Sequence, residues 1–166
     1  MNKKKLTVSM SLICFFFLFS CGTKRMVLNY EVEPVKVGAT DTYLVKVWSF
    51  SNDMKWEKLE ALAKRNAVHA IIFRGFSSKN NVNGVNALAW NKPNLEQTHK
   101  EFFDSFFMAG GRYLEYADMV SVGIAAEDRI KTSNGYKIGL IVSIKQRALK
   151  DYLVTAGILE SLGGRF

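Results

Sequence analysis

Two stretches of the chain carry apolar residues at every second position of one face. Between Asp41 and Phe50, Tyr43, Val45 and Val47 fall on one face, and Leu44, Trp48 and Phe50 on the other, with Lys46 between them. This β-branched and aromatic content predicts a pleated strand, and apolar residues on both faces predict a central or covered one. Tyr136, Ile138, Leu140, Val142 and Ile144 alternate in the same way. Asn134-Gly135 before them predicts a tight turn back to a strand over Arg129–Lys131. Helical spacing marks three other stretches. In Met54–Val68, Trp56, Leu59, Ala63 and Ala67 share a stripe that Leu62 widens, Lys55, Lys58, Lys64 and Arg65 line the outer side, and Glu60–Lys64 is a favourable pair. Ser51, Asn52 and Asp53 offer N-cap oxygens before it. The stretch after Asn94 carries Phe102, Phe103, Phe106 and Phe107 on one face, and Gly110-Gly111 stops it. Asn94 and Gln97 stand in capping-box position there, and Glu96–Lys100 is a second favourable pair. In the last helix Leu149, Tyr152, Leu153 and Ala156 form the stripe, Ser143 and Gln146 precede it as a cap, and Gly157 ends it.

Three segments are less regular. His69–Phe76, with Ala70, Ile71, Ile72 and Phe73, reads as a second strand ending near Gly75. Arg112–Val122, with Tyr113, Leu114, Tyr116, Met119, Val120 and Val122, reads as a third. Ser77–Asn94 holds six asparagines, Gly84 and Pro93, and reads as a long irregular connection, a length often tied to function. The order is strand, helix, strand, loop, helix, strand, strand, helix. It predicts a two-layer α+β sandwich with helices on one face of a mostly antiparallel or mixed four-stranded sheet.

The start of the chain changes the picture. Lys3, Lys4 and Lys5 precede an uncharged, mostly apolar run from Leu6 to Phe19, followed by Ser20, Cys21 and Gly22. A charged segment, an apolar run and a small residue before the cut are the order of a secretory signal, and the run is shorter than the roughly 20 residues that span a bilayer. With Cys21 directly after Ser20, the segment resembles the lipobox of bacterial lipoproteins. That resemblance implies cleavage before Cys21, a diacylglycerol on its sulfur and acylation of the new amino terminus. The expected organisation is a signal over 1–20, a lipid-anchored tether over 21–40 and one α+β domain over 41–166. Within the tether, Leu28, Tyr30 and Val32 alternate with polar residues as a short edge strand would, and Pro34 is expected to end it. Lys24 and Arg25 stand where they could touch lipid phosphates.

Removing residues 1–20 takes three lysines and no acid, so the net charge falls from +8 to +5, from 20 basic and 15 acidic residues. Cys14 leaves with the signal and Cys21 is used by the lipid, so no thiol is left for a disulfide or metal site and stability must come from a core. There is no P-loop, GxGxxG, HExxH or cysteine cluster, and no nucleophile elbow. No cofactor is expected, and nucleic acid is not an expected partner. His69 and His99 have no ligand or catalytic partner at useful spacing. Trp90, with Asn86 and Leu88, is the candidate contact for a protein partner. The competing reading folds Trp90 back to pin its loop.

The run Tyr136-Lys137-Ile138-Gly139-Leu140-Ile141-Val142-Ser143, followed by Ala148, Leu149, Leu153 and Gly157, resembles the closing strand and helix of small envelope lipoprotein domains. These are the domains grouped with the curli-secretion channel lipoprotein and the penicillin-binding-protein activators. The first strand and the helix holding Ala61, Ala63 and Ala67 are similar as well. The whole chain also resembles uncharacterised outer-membrane lipoproteins of Gram-negative bacteria. Gly22 fits outer-membrane sorting, and no acidic cluster follows Cys21, so the periplasmic face is expected. The expected function is that of a non-enzymatic, lipid-anchored binding or assembly domain of an envelope complex. The alternatives are a cell-wall or glycan-acting enzyme using Asp104, Glu127 or Asp128, and a lipid or ligand carrier using the Phe102–Phe107 face.

Overall fold

The structure, a computed structural model, describes residues 29–38 and 42–160. The expected signal, the lipidation of Cys21, the lipid contacts of Lys24 and Arg25, and the final residues 161–166 lie outside the described residues. The fold is α+β. Strands β1 (Tyr30–Val37), β2 (Thr42–Ser51), β3 (Ala117–Met119), β4 (Arg129–Thr132) and β5 (Gly135–Lys145) form one antiparallel sheet. Its order is β1-β2-β5-β3, with β4 also pairing to β5. Helices α1 (Trp56–Phe73), α2 (Leu95–Thr98), α3 (Lys100–Phe106) and α4 (Gln146–Thr155) join it.

These two stretches, β2 and β5, are the centre of the sheet. Val45 and Val47 of β2 lie buried on the same face as Ile138, Leu140, Val142 and Ile144 of β5, opposite one another in register. Trp48, Phe50, Lys46 and Leu44 point to the other face. β1 takes in residues 30–37 of the expected tether. Pro34 does not end this strand. It stands paired with Val45 on an edge strand, and the register shifts between Pro34 and Lys36, so the missing donor is absorbed by a bulge.

Three expectations are corrected. His69–Phe76 is not a strand, because α1 runs for 18 residues through Phe73. Val68, Ala70, Ile71 and Ile72 are all buried, so helical burial overrides the β-branched composition. The helix stops where Gly75, at φ +66°, donates to Ala70 O. Arg112–Val122 is mostly not a strand either: Arg112–Tyr116 is a 3₁₀ turn, and the strand is Ala117–Met119, paired with β5. The expected single helix after Asn94 is broken at His99 into α2 and α3.

The expected caps differ too. No side-chain cap bond forms at Asn94, and Ser143 sits inside β5, with Lys145 before α4. Asp53 does fix the entry to α1, accepting from the Lys55 amide at 3.0 Å. Its bond from Lys58 holds its carboxyl below the usual range. Glu60–Lys64 forms at 2.6 Å, whereas Lys100 pairs with Asp104 rather than Glu96. Gly157, at φ +72°, ends α4 as expected, but Ala156 is exposed while Ile158 and Leu159 turn back into the core.

The core lies between the inner sheet face and the helices. Phe103, Phe106 and Phe107 are buried against Phe73, Tyr113, Tyr116 and the half-buried Tyr152. The four phenylalanines of the predicted face thus pack on one another, edge-to-face and stacked, and stack on Tyr116 and Tyr152.

Candidate functional site

The Asn-rich connection is a built element. Phe76 and Val85 exchange backbone hydrogen bonds at 2.9 Å, and Lys79 pairs with Val82. Between them Asn80 and Asn81 stand at φ 50° and 62°. Two successive left-handed residues make the tight turn that matches strand twist, and Asn tolerates that conformation. Gly84 is packed against this hairpin: a Cβ there would come within 2.6 Å of Phe76 O.

The chain then locks onto the end of α1. Leu88 N donates to Ile71 O and Ala89 N to Ile72 O, both at 2.9 Å, which satisfies carbonyls that a helix end leaves open. Ala87 and Ala89 are buried, and Leu88 packs half-buried against the core. The next residues turn tightly, with Trp90 N donating to Ala87 O and Lys92 N to Ala89 O. Trp90 is therefore not the pin. The alanines and backbone hydrogen bonds hold the loop, and Trp90 projects from it 73 % exposed. Asn86 is exposed beside it in sequence. An open hollow lined by Lys92, Pro93, Asn94, Leu95, Thr98 and His99 follows Trp90, and Lys92 is paired with Glu160 across 3.0 Å.

The carboxylates of the enzyme reading are not gathered into one site. Asp104 is exposed on α3 and paired with Lys100. Asp128 is buried against β2, where its two oxygens accept from Lys46 Nζ at 2.7 and 2.9 Å. Glu127 is exposed in the adjoining 3₁₀ turn. Among the described residues, no group of three His, Cys, Asp or Glu is placed to hold a metal ion, and no helix is long and apolar enough to cross a membrane.

One polar chain has no signature in the sequence. Tyr30 Oη lies 2.7 Å from His69 Nδ1, and His69 Nε2 lies 3.3 Å from Glu96 Oε1. A carboxylate only accepts, so Nε2 carries the proton toward Glu96 and Nδ1 accepts from the tyrosine. The ring packs at a tilt against Phe73 and Phe107, with centroids 4.7 and 5.7 Å away. Burial lowers the His69 pKa to about 4, against the opposing pull of Glu96. Burial likewise pushes the Tyr30 hydroxyl above the usual phenol range, and the Arg74 guanidinium 4.3 Å from its ring centre works the other way. The chain ties β1, α1 and α2 together from residues 27 and 39 positions apart, so no local spacing signals it. With its tyrosine and histidine buried, it is a structural tie.

Compared with protein-family models, curated proteins and solved structures, this chain matches none.

Proposed function

We propose that this chain is a lipid-anchored periplasmic domain, held to the outer membrane through Cys21, that docks an envelope protein complex through the loop carrying Trp90. The observation that carries the reading is a tryptophan 73 % exposed on a backbone fixed by its neighbours. A large aromatic side chain on a preorganised backbone loses little conformational freedom when a partner covers it, and tryptophan is enriched among residues that dominate binding energy. Asn86 supplies an exposed amide close by, whereas Leu88 acts from beneath by fixing the loop. The signal-like start and the Cys21-Gly22 pair support the anchor. The resemblance of the closing strand and helix to envelope lipoprotein domains supports the compartment. Against the enzyme and carrier alternatives stand the separate placement of Asp104, Glu127 and Asp128 and the burial of Phe103, Phe106 and Phe107 against neighbouring rings.

The test is crosslinking in intact cells followed by capture of the wild-type chain, Cys21→Ala and Trp90→Ala. A single envelope complex recovered with wild type, and lost with either variant at equal protein level, is the expected result. Recovery of the same proteins with Trp90→Ala would refute the role of the loop, and recovery with Cys21→Ala would refute the need for the anchor.

A further inference from the structure

The sheet face turned away from α1 carries its own pattern. Phe50, Lys137 and Ile130 stand in one row across β2, β5 and β4. Phe50 is 40 % and Ile130 47 % exposed. In the next row Trp48 lies over Gly139, where a Cβ would come within 3.0 Å of the indole. The ammonium groups of Lys46 and Lys137 stand 5.6 and 5.3 Å from the Trp48 ring centre, and Lys137 is also bonded to both oxygens of Glu31. Lys46 is bonded in turn to Asp128, and Arg129 and Lys131 of β4, which pair with Ile138 and Tyr136, point to the opposite face. Aromatic and aliphatic side chains bordered by lysine stems are a composition that settles between acyl chains and headgroups.

The chain enters the sheet at the same end as this strip. Tyr30 opens β1 and pairs with Ser49, the residue before Phe50. Cys21 lies only nine positions before Tyr30. A lipid on Cys21 thus keeps this end of the sheet within roughly 30 Å of the bilayer surface. A short tether also gives the lipid surface a high local concentration, so a small patch suffices to orient the domain.

We infer that the strip Phe50–Lys137–Ile130, with Trp48, rests on the lipid surface to which Cys21 is attached. This rests on the acylation of Cys21 proposed above. Seated this way, the domain turns α1 and the Trp90 loop, on the other side of the sheet, toward the aqueous compartment.

An acylated mature chain has no free thiol, so Ile130→Cys and Met108→Cys each supply a single labelling site. Met108, 57 % exposed after α3, marks the helix layer. Each acylated full chain is labelled with an environment-sensitive fluorophore and placed in vesicles of phosphatidylethanolamine and phosphatidylglycerol with brominated acyl chains. Intact mass reads the acylation of the same sample. The expected result is a blue shift and quenching at 130, neither at 108, and loss of both at 130 when Phe50→Ser is added. Equal signals at the two positions, or none at 130, on a chain of acylated mass overturn the inference alone. A chain whose mass carries no acyl group overturns both the inference and the anchor. A label at 130 that is shielded in the cell envelope but water-exposed in vesicles assigns the face to a protein and overturns the lipid contact.

Discussion

Replacing His69 with glutamine should flatten the dependence of stability on pH. The imidazole is buried against Phe73 and Phe107, bonded to Tyr30 and Glu96, with Arg65 and Arg74 nearby. Burial, opposed by Glu96 and reinforced by the two arginines, lowers its pKa from 6.5 to about 4. Above the unfolded value the ring is neutral in both states and contributes nothing to the pH dependence. As pH falls from there, the unfolded chain takes up a proton that the native state refuses. Stability is therefore lost on the way down, at about 1.4 kcal/mol per pH unit, and the loss is complete near the folded value. Over that window the wild type should lose up to about 3 kcal/mol through this one group. The amide introduced by His69→Gln keeps an oxygen for the Tyr30 hydroxyl but does not titrate. Urea unfolding of both chains, followed by tryptophan fluorescence from about pH 7 to about pH 4, gives the difference, because the carboxylates that do not touch position 69 cancel. The destabilisation caused by the substitution should be largest at neutral pH and shrink toward acid. Two parallel curves would show that His69 is not held neutral by burial, and the reasoning would be refuted.

Three further substitutions test the packing and the division between fold and surface. Phe103→Ala opens the aromatic cluster under α3 and should cost about 3–5 kcal/mol in urea unfolding. Asp128→Ala leaves Lys46 half-covered without its carboxylate and should cost about 1–3 kcal/mol, most of it recovered when Lys46→Met is added. Trp90→Ala should change stability by no more than about 0.5 kcal/mol, because the ring is exposed and its loop is held by other residues. A large loss of stability there would mean that the tryptophan pins the loop after all.

The parts of the fold legible in sequence are those where one residue's environment is set by its near neighbours. The alternation of Tyr43, Val45 and Val47, the Asn134-Gly135 turn, the alternation of Tyr136–Ile144 and the stop at Gly157 all belong here. The errors lie where a distant contact decides. Ala70-Ile71-Ile72-Phe73 has strand composition, but both sheet and aromatic cluster bury it as helix. Pro34 forbids a central strand, not an edge with a bulge. Glu96 leaves its helical neighbour Lys100 for His69, a partner 27 residues away. At the candidate site, Trp90 and the asparagines can be singled out from residue type alone. That the alanines, rather than the tryptophan, hold the loop depends on the carbonyls of Ile71 and Ile72, two residues whose composition reads as strand.

The docking claim is tested most directly by a photo-crosslinking residue at position 90 of the anchored chain in living cells, with the same residue at the fully exposed position 122 for comparison. The account predicts one discrete adduct from position 90, absent from position 122 and lost when Cys21→Ala removes the anchor. No adduct at 90, or the same adducts from both positions, would contradict it.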